Sequence, residues 1–180
     1  MHNMKTEIAV FGGGCFWCIE AVVQLLTGVV KVDSGYTGGT VPGKPTYREV
    51  CSGLTGHAEV VRVTFNADEL SFEDLITIFM TSHDPTKMNR QGADRGTQYR
   101  SVIYYQNDEQ KQVIEKVFEK LKTTYADPIV TEVTAAQEFH VAEADHQNYY
   151  NENSETGYCQ AVINPKISKL RAMYADRLKD

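Results

Sequence analysis

The sequence predicts a mixed β-sheet with helices packed on it, a fold of the α/β or α+β class. Three observations predict it. Short apolar runs bounded by glycine alternate with longer segments of helical periodicity. Some of the strand-like runs are near neighbours in the manner of hairpins. The chain has 180 residues, 42% of them hydrophobic and 23% charged, which suits one globular domain, 1–180, able to bury a core without disulfide or metal staples.

The elements follow in order. Glu7 to Phe11 reads as a short buried strand, closed by Gly12, Gly13 and Gly14. A helix is expected from Cys15 to about Leu26, with Gly28 as its C-terminal stop. Val29 to Tyr36 and His57 to Phe65 are strand-like, the second with Val61, Val63 and Phe65 at alternate positions. Ser71 and Asp74 form a helix cap, and Leu75, Ile76 and Phe79 carry that helix to Ser82. Tyr99 to Tyr105 is a strand. Asn107 caps a long helix whose apolar residues Val113, Ile114, Val117, Phe118 and Leu121 repeat every three or four positions. Val130 to Val133 is a short strand, and Asn164 caps a last helix, with Pro165 in its first turn, that runs to about Leu178. Two stretches break the pattern, Ser34 to Glu59 and His83 to Gln98. Long irregular loops inside a compact domain are often functional.

With 24 acidic and 18 basic residues the net charge is −6, which argues against a nucleic-acid partner, since phosphates call for a basic patch. No apolar run approaches the ~18 residues of a membrane span. Met1 to Thr6 is polar and leaves no room for an export signal, so a cytoplasmic location is expected.

The chemistry centres on Gly13-Gly14-Cys15-Phe16-Trp17-Cys18, between a strand and a helix. A cysteine at a helix N-terminus meets free N–H groups and the positive end of the dipole, which favour its thiolate. The alternative is a buried cysteine packing as a small hydrophobe. Phe16 and Trp17, the only tryptophan, are suited to wall a small apolar pocket or to fill core. Cys15 and Cys18 have C-x-x-C spacing, so a redox dithiol is a second reading. Cys51 and Cys159 stand alone, and no histidine pair among His2, His57, His83, His140 and His146 has a zinc spacing; no metal is expected.

Gly-Cys-Phe-Trp at 14–17, Ser-Gly-Tyr-Thr-Gly-Gly at 34–39, Tyr47, Thr-Gly-His-Ala-Glu at 55–59, His-Asp-Pro-Thr at 83–86, Asn-Arg-Gln-Gly at 89–92, Asp94, Gln-Tyr-Arg-Ser at 98–101 and Gly-Tyr-Cys at 157–159 run in one order along the chain. In these stretches, which include both irregular loops, the chain closely resembles the A-type peptide methionine sulfoxide reductases.

The resemblance implies an α+β fold with a ferredoxin-like core and long irregular additions. It implies reduction of methionine S-sulfoxide, free and in proteins, with thioredoxin as the regenerating partner, in protein repair under oxidative stress. No cofactor is implied. Cys15 takes the role of the nucleophile that attacks the sulfoxide sulfur. Phe16 and Trp17 form the methyl pocket, Glu59 protonates the sulfoxide oxygen, Tyr47 and Tyr99 hydrogen-bond that oxygen, and Asp94 belongs to the surround that orients substrate. The Gly-Tyr-Cys motif favours Cys159 as the resolving thiol, with Cys18 as the alternative, because many relatives have glycine at that position. Cys159 is expected to follow a polar, mobile segment, Asn151 to Thr156, and so to swing toward Cys15. From Gln160 a helical tail without cysteine begins, where relatives often carry a glycine-rich end with another cysteine. Cys51 is expected to be buried filler, and His57 and His83 have no assigned chemistry.

These residue types suit the reaction. A sulfoxide is a weak electrophile with a poor leaving oxygen, and protonation of that oxygen cures both defects. The acid must keep its proton near pH 7, which calls for a desolvated carboxyl. Two other functions compete, a general C-x-x-C thiol–disulfide oxidoreductase and a catalytically inert methionine-binding module.

Overall fold

The computed structural model describes residues 5–179. Residues 1–4, the larger part of the stretch in which no export signal is expected, lie outside the described residues.

Strand β1 (Thr6–Gly12) leads through a glycine turn into helix α1 (Phe16–Val23). Strand β2 (Val29–Thr37), the short helix α2 (Tyr47–Cys51) and strand β3 (Ala58–Asn66) follow. Helix α3 (Phe72–Ser82) precedes a two-strand hairpin, β4 (Arg90–Gln91) and β5 (Asp94–Arg95). Strand β6 (Val102–Tyr105), helix α4 (Asp108–Leu121), and strands β7 (Glu132–Ala135) and β8 (His140–Val141) come next. Helix α5 (Tyr149–Glu152), a π-helical turn (Cys159–Ile163) and helix α6 (Asn164–Tyr174) complete the chain.

The sheet order is β7-β6-β1-β3-β2-β8. Its centre, β6-β1-β3-β2, is antiparallel throughout and is built by the sequence β1-α1-β2-β3-α3-β6, the double split βαβ of ferredoxin-like folds. Strand β7 adds to β6 in parallel and β8 to β2 antiparallel. The fold is α+β, as the resemblance implies.

Alternation sets the two faces of the sheet. Ala9, Phe11, Val61, Val63, Phe65 and Ile103 lie in the large core with α1, α3 and α4. Val10, Ala58, Val60, Val102 and Tyr104 form a smaller cluster on the reverse. Glu59 is in phase with Val61 and Val63, so the pleat aims its carboxyl at the helix-covered face, at the end of the strand beneath the start of α1.

Two of the three expected caps form: Ser71 Oγ accepts the Asp74 N–H at 3.0 Å, and Asn107 Oδ1 the Gln110 N–H at 2.8 Å. Asn164 does not cap α6 but is its first residue, because the π-helical turn runs straight into the helix and leaves no free end there. Gly28, at φ +96°, turns the chain between α1 and β2. Several boundaries move. Helix α1 ends at Val23 rather than Leu26. The strand expected from Tyr99 begins at Val102, because Thr97–Tyr99 is a 3-10 turn. The strand expected over Val130 to Val133 runs Glu132–Ala135, where it pairs with β6. Helix α6 ends at Tyr174, and a 3-10 turn (Ala175–Arg177) finishes it. The irregular loop before Glu59 contains α2, started by a reciprocal capping box between Thr46 and Glu49.

Candidate active site

The glycine turn sets the nucleophile. Gly14 has φ +86°, a backbone that a side chain resists, and its N–H donates to the Tyr99 carbonyl at 3.0 Å. That bond fastens Tyr99 to the turn before Cys15. Gly13 lies against the ring of His83, where an added Cβ would meet Cδ2 at 2.6 Å. His83 is itself fixed: Nδ1 donates to the Phe79 carbonyl and Nε2 accepts from Ser101 Oγ, each at 2.7 Å. Burial pushes its pKa down to about 4, so the ring is neutral and structural. His57 Nδ1 likewise accepts the Gly39 N–H at 3.0 Å.

Cys15 is the N-cap of α1, with extended backbone and no side-chain cap bond. The first free N–H of the helix, that of Phe16, donates to Glu59 Oε1 at 3.2 Å. Glu59 has no solvent exposure, and its other oxygen, Oε2, is buried with no hydrogen-bond partner among the described residues. Burial is the main force on this carboxyl and raises its pKa to about 8; the Phe16 N–H pulls the other way, and Asp94 and Cys18 add to the rise. At neutral pH it is a carboxylic acid with a proton to donate.

Cys15 does not carry the depressed pKa that a helix N-terminus alone predicts. Burial raises its thiol well above the ordinary value, and the neighbouring Cys18 and Glu59 raise it further. The lowered thiol is Cys18, brought to about 7 chiefly by a hydrogen bond from Cys15. The helix dipole is outweighed first by burial and then by the two neighbouring groups.

Tyr47 and Tyr99 are half-buried, and burial followed by the proximity of Glu59 raises both phenols well above their ordinary value. Both remain neutral hydrogen-bond donors. Phe16 is fully buried, its ring stacked 6.1 Å from that of Tyr47. Trp17 stacks on Tyr149 with centroids 3.7 Å apart and lies 6.3 Å from Tyr47. Asp94 Oδ2 accepts from the Tyr158 hydroxyl at 3.2 Å, which in turn lies 3.5 Å from Cys18 Sγ. The structure thus brings Cys15, Phe16, Trp17, Cys18, Tyr47, Glu59, Asp94 and Tyr99 into one neighbourhood.

Cys159 is placed otherwise than expected. It has no exposure, begins the π-helical turn and belongs to the main core. Cys51 also departs from expectation: it is exposed at the end of α2.

Sequence reading passed over a supporting layer. His146 Nδ1 accepts from Trp17 Nε1 at 3.1 Å, and its ring lies 4.2 Å from that of Tyr47. Glu143 takes the Tyr36 hydroxyl on Oε1 and the Tyr47 N–H on Oε2, each at 2.9 Å. Tyr36 pairs with Glu59 across β2 and β3. Buried Glu20, from α1, accepts the N–H groups of Asn148 and Tyr149 at 3.0 and 3.2 Å and so holds this segment against α1. The available signal was compositional: residues 142–150 combine Glu, His and aromatics without helix or strand periodicity. Among the described residues no helix is long and apolar enough to cross a membrane, and no three His, Cys, Asp or Glu residues are grouped to hold a metal.

The arrangement offers a nucleophile, a neutral acid and two neutral phenols beside an aromatic wall. Comparison with known proteins agrees with it. The family model described as peptide methionine sulfoxide reductase matches residues 7–178. A peptide methionine sulfoxide reductase MsrA of Deinococcus radiodurans is 55% identical over 175 residues, which is 96% of this chain and 84% of that protein. Reduced Mxr1 of Saccharomyces cerevisiae superposes with a TM-score of 0.81 at 31% identity, covering 88% of this chain and 91% of that one. Methionine sulfoxide reductase A of Corynebacterium diphtheriae gives 0.74 at 36%, covering 84% and 77%.

Proposed function

The chain belongs to the peptide methionine sulfoxide reductase family and reduces methionine sulfoxide, and from that premise we propose how its residues divide the work. Cys15 attacks the sulfur of a methionine S-sulfoxide while Glu59 gives its proton to the oxygen and takes up the proton that the Cys15 thiol loses. The oxygen passes to the Cys15 sulfur as hydroxyl. Methionine leaves, and Cys15 becomes a sulfenic acid. Tyr47 and Tyr99 donate to the oxygen without bringing charge that would draw the proton off Glu59. Phe16 and Trp17 face the S-methyl group, and Asp94 holds the surround.

One observation carries this reading: the Glu59 carboxyl is buried, protonated near neutrality and bonded to the residue after Cys15. A disulfide oxidoreductase needs no such acid, so that alternative is not favoured. Phe16 and Trp17 are unbranched apolar contact area suited to a methyl thioether.

The reaction needs no resident cofactor, because its electrons come from thiols. A second thiol condenses with the sulfenic acid, and an external dithiol, thioredoxin in our reading, restores both cysteines. The four free cysteines suit a reducing cytoplasm and a role in repairing oxidised proteins. The family match over 7–178 supports one reductase domain over 1–180.

The test is stereochemical. Incubation with racemic N-acetylmethionine sulfoxide and dithiothreitol is expected to consume the S epimer alone, half of the total. Consumption of both epimers or of neither would overturn the proposal.

A further inference from the structure

We propose that Cys18, and not Cys159, is the thiol that condenses with the Cys15 sulfenic acid, and that Tyr158 and Asp94 position it for that step. The proposal rests on the reductase reading above.

Cys15 is the N-cap of α1 and Cys18 lies in its first turn, with the Cys18 N–H donating to the Cys15 carbonyl at 3.1 Å. The two thiols act on each other directly, each altering the protonation of the other. Residues three apart at a helix start lie one turn from each other on the same side, the spacing at which C-x-x-C pairs form disulfides.

Both line a cleft of about 360 Å³, together with Asp94, Tyr158, Pro165 and Lys166. None of the Phe16, Trp17 and Tyr47 rings lines this cleft. The Tyr158 hydroxyl is held between Asp94 Oδ2 at 3.2 Å and Cys18 Sγ at 3.5 Å. When Cys18 keeps its proton the thiol donates to the Tyr158 oxygen, whose own proton goes to Asp94; when Cys18 is ionised, the Tyr158 hydroxyl donates to the sulfur instead. A cysteine near its half-ionised point is the best attacking thiol at neutral pH, and Cys18 is brought to about 7 by Cys15, with Tyr158 and Lys166 acting in the same direction.

Cys159 is adjacent to Tyr158 but is wholly buried in the core. Its N–H is bound to Thr156 Oγ1 at 3.2 Å, and the turn it begins continues directly into α6. To reach Cys15 it would have to leave the core and undo that turn.

The step balances. The Cys15 S–OH and the Cys18 S–H give a Cys15–Cys18 disulfide and one water: the S–O bond breaks, and the Cys18 proton leaves with the hydroxyl. An external dithiol, dithiothreitol or thioredoxin, then reduces the disulfide and is itself oxidised to a disulfide.

The full-length protein is treated with one equivalent of sulfoxide without reductant, alkylated and digested with trypsin. Cys15 and Cys18 fall in one peptide, 6–31, Cys51 in 49–62 and Cys159 in 123–166. The expected result is peptide 6–31 two hydrogens lighter and closed to alkylation. A cross-link from 6–31 to 123–166 or to 49–62 would overturn the assignment. One equivalent of hydrogen peroxide oxidises a thiol of the pair to a sulfenic acid without sulfoxide, so it reports which cysteines pair even if sulfoxide is not a substrate.

Variants give a second readout. Cys18→Ser is expected to release one methionine per chain and to lose thioredoxin-supported turnover by about 100-fold or more, whereas Cys159→Ser keeps turnover within about threefold. The reverse pattern would overturn the proposal. Tyr158→Phe is expected to slow disulfide formation relative to the methionine burst by roughly tenfold; equal slowing of both steps would assign Tyr158 a merely structural role.

Discussion

Glu59 Oε1 accepts the backbone N–H of Phe16 at 3.2 Å, so the acid is fastened to the residue that directly follows the nucleophile. The bond uses one of the helix's free N–H groups and leaves the partnerless Oε2 for the substrate oxygen. One backbone contact thereby sets the spacing between the group that attacks sulfur and the group that protonates oxygen.

Glu59→Gln keeps an acceptor for Phe16 but has no proton of useful acidity. The methionine burst in a single turnover is expected to slow by about 10²–10⁴-fold, the usual worth of a positioned acid. A burst within threefold of the parent (about 0.7 kcal/mol) would show that Glu59 is not the acid.

The same group sets a pH dependence. Its pKa of about 8 means the donor is protonated below that value and lost above it. The single-turnover rate should fall on the alkaline side of about pH 8, and Glu59→Gln should lack that limb. An identical alkaline limb in the variant would assign it to another group.

Stability should respond in a defined direction. The folded pKa of Glu59 is raised from 4.5 to about 8, so its favourable contribution is complete below 4.5 and is lost as pH rises toward 8. The loss is on the order of 5 kcal/mol. Glu59→Gln removes it, so the Tm advantage of the variant over the parent should grow by several degrees between pH 5 and 9. A constant difference across that range would refute this.

The turn before Cys15 should be intolerant of bulk. In Gly13→Ala the new methyl would meet the His83 ring at 2.6 Å, and two hydrogen bonds keep that ring from yielding. A loss of about 1–3 kcal/mol in denaturant unfolding is expected. At Gly157 nothing lies within 4 Å, so Gly157→Ala should change stability by no more than about 0.5 kcal/mol.

His146 should matter through Trp17. His146→Ala leaves the Trp17 Nε1–H without its acceptor and removes a ring from the stack beside Tyr47. The expected effect is a KM raised by roughly tenfold, about one hydrogen bond, with kcat less affected. Trp17→Phe and His146→Ala should be non-additive in a double-mutant cycle.

The sequence by itself determined the class of the fold, two of the three expected side-chain caps, the glycine turn and most of the residues that the structure gathers around Cys15. Those features are local, or they lie in motifs that keep their order along the chain. It could not determine that Glu59 is a neutral acid, since the same residue on a surface would be an ordinary carboxylate. Only the pairing of β3 with β1 and β2, which turns residue 59 inward under α1, removes its water. Nor could it rank the thiols. Position 159 follows a polar stretch, and only the packing of the turn before α6 shows that its sulfur is enclosed in the core. The layer of Glu20, Glu143 and His146 was invisible for the same reason: its contacts join residues about 100 or more apart, and periodicity carries no information at that range. Ionisation and reach are properties of surroundings, and distant parts of the chain supply those surroundings only once it has folded.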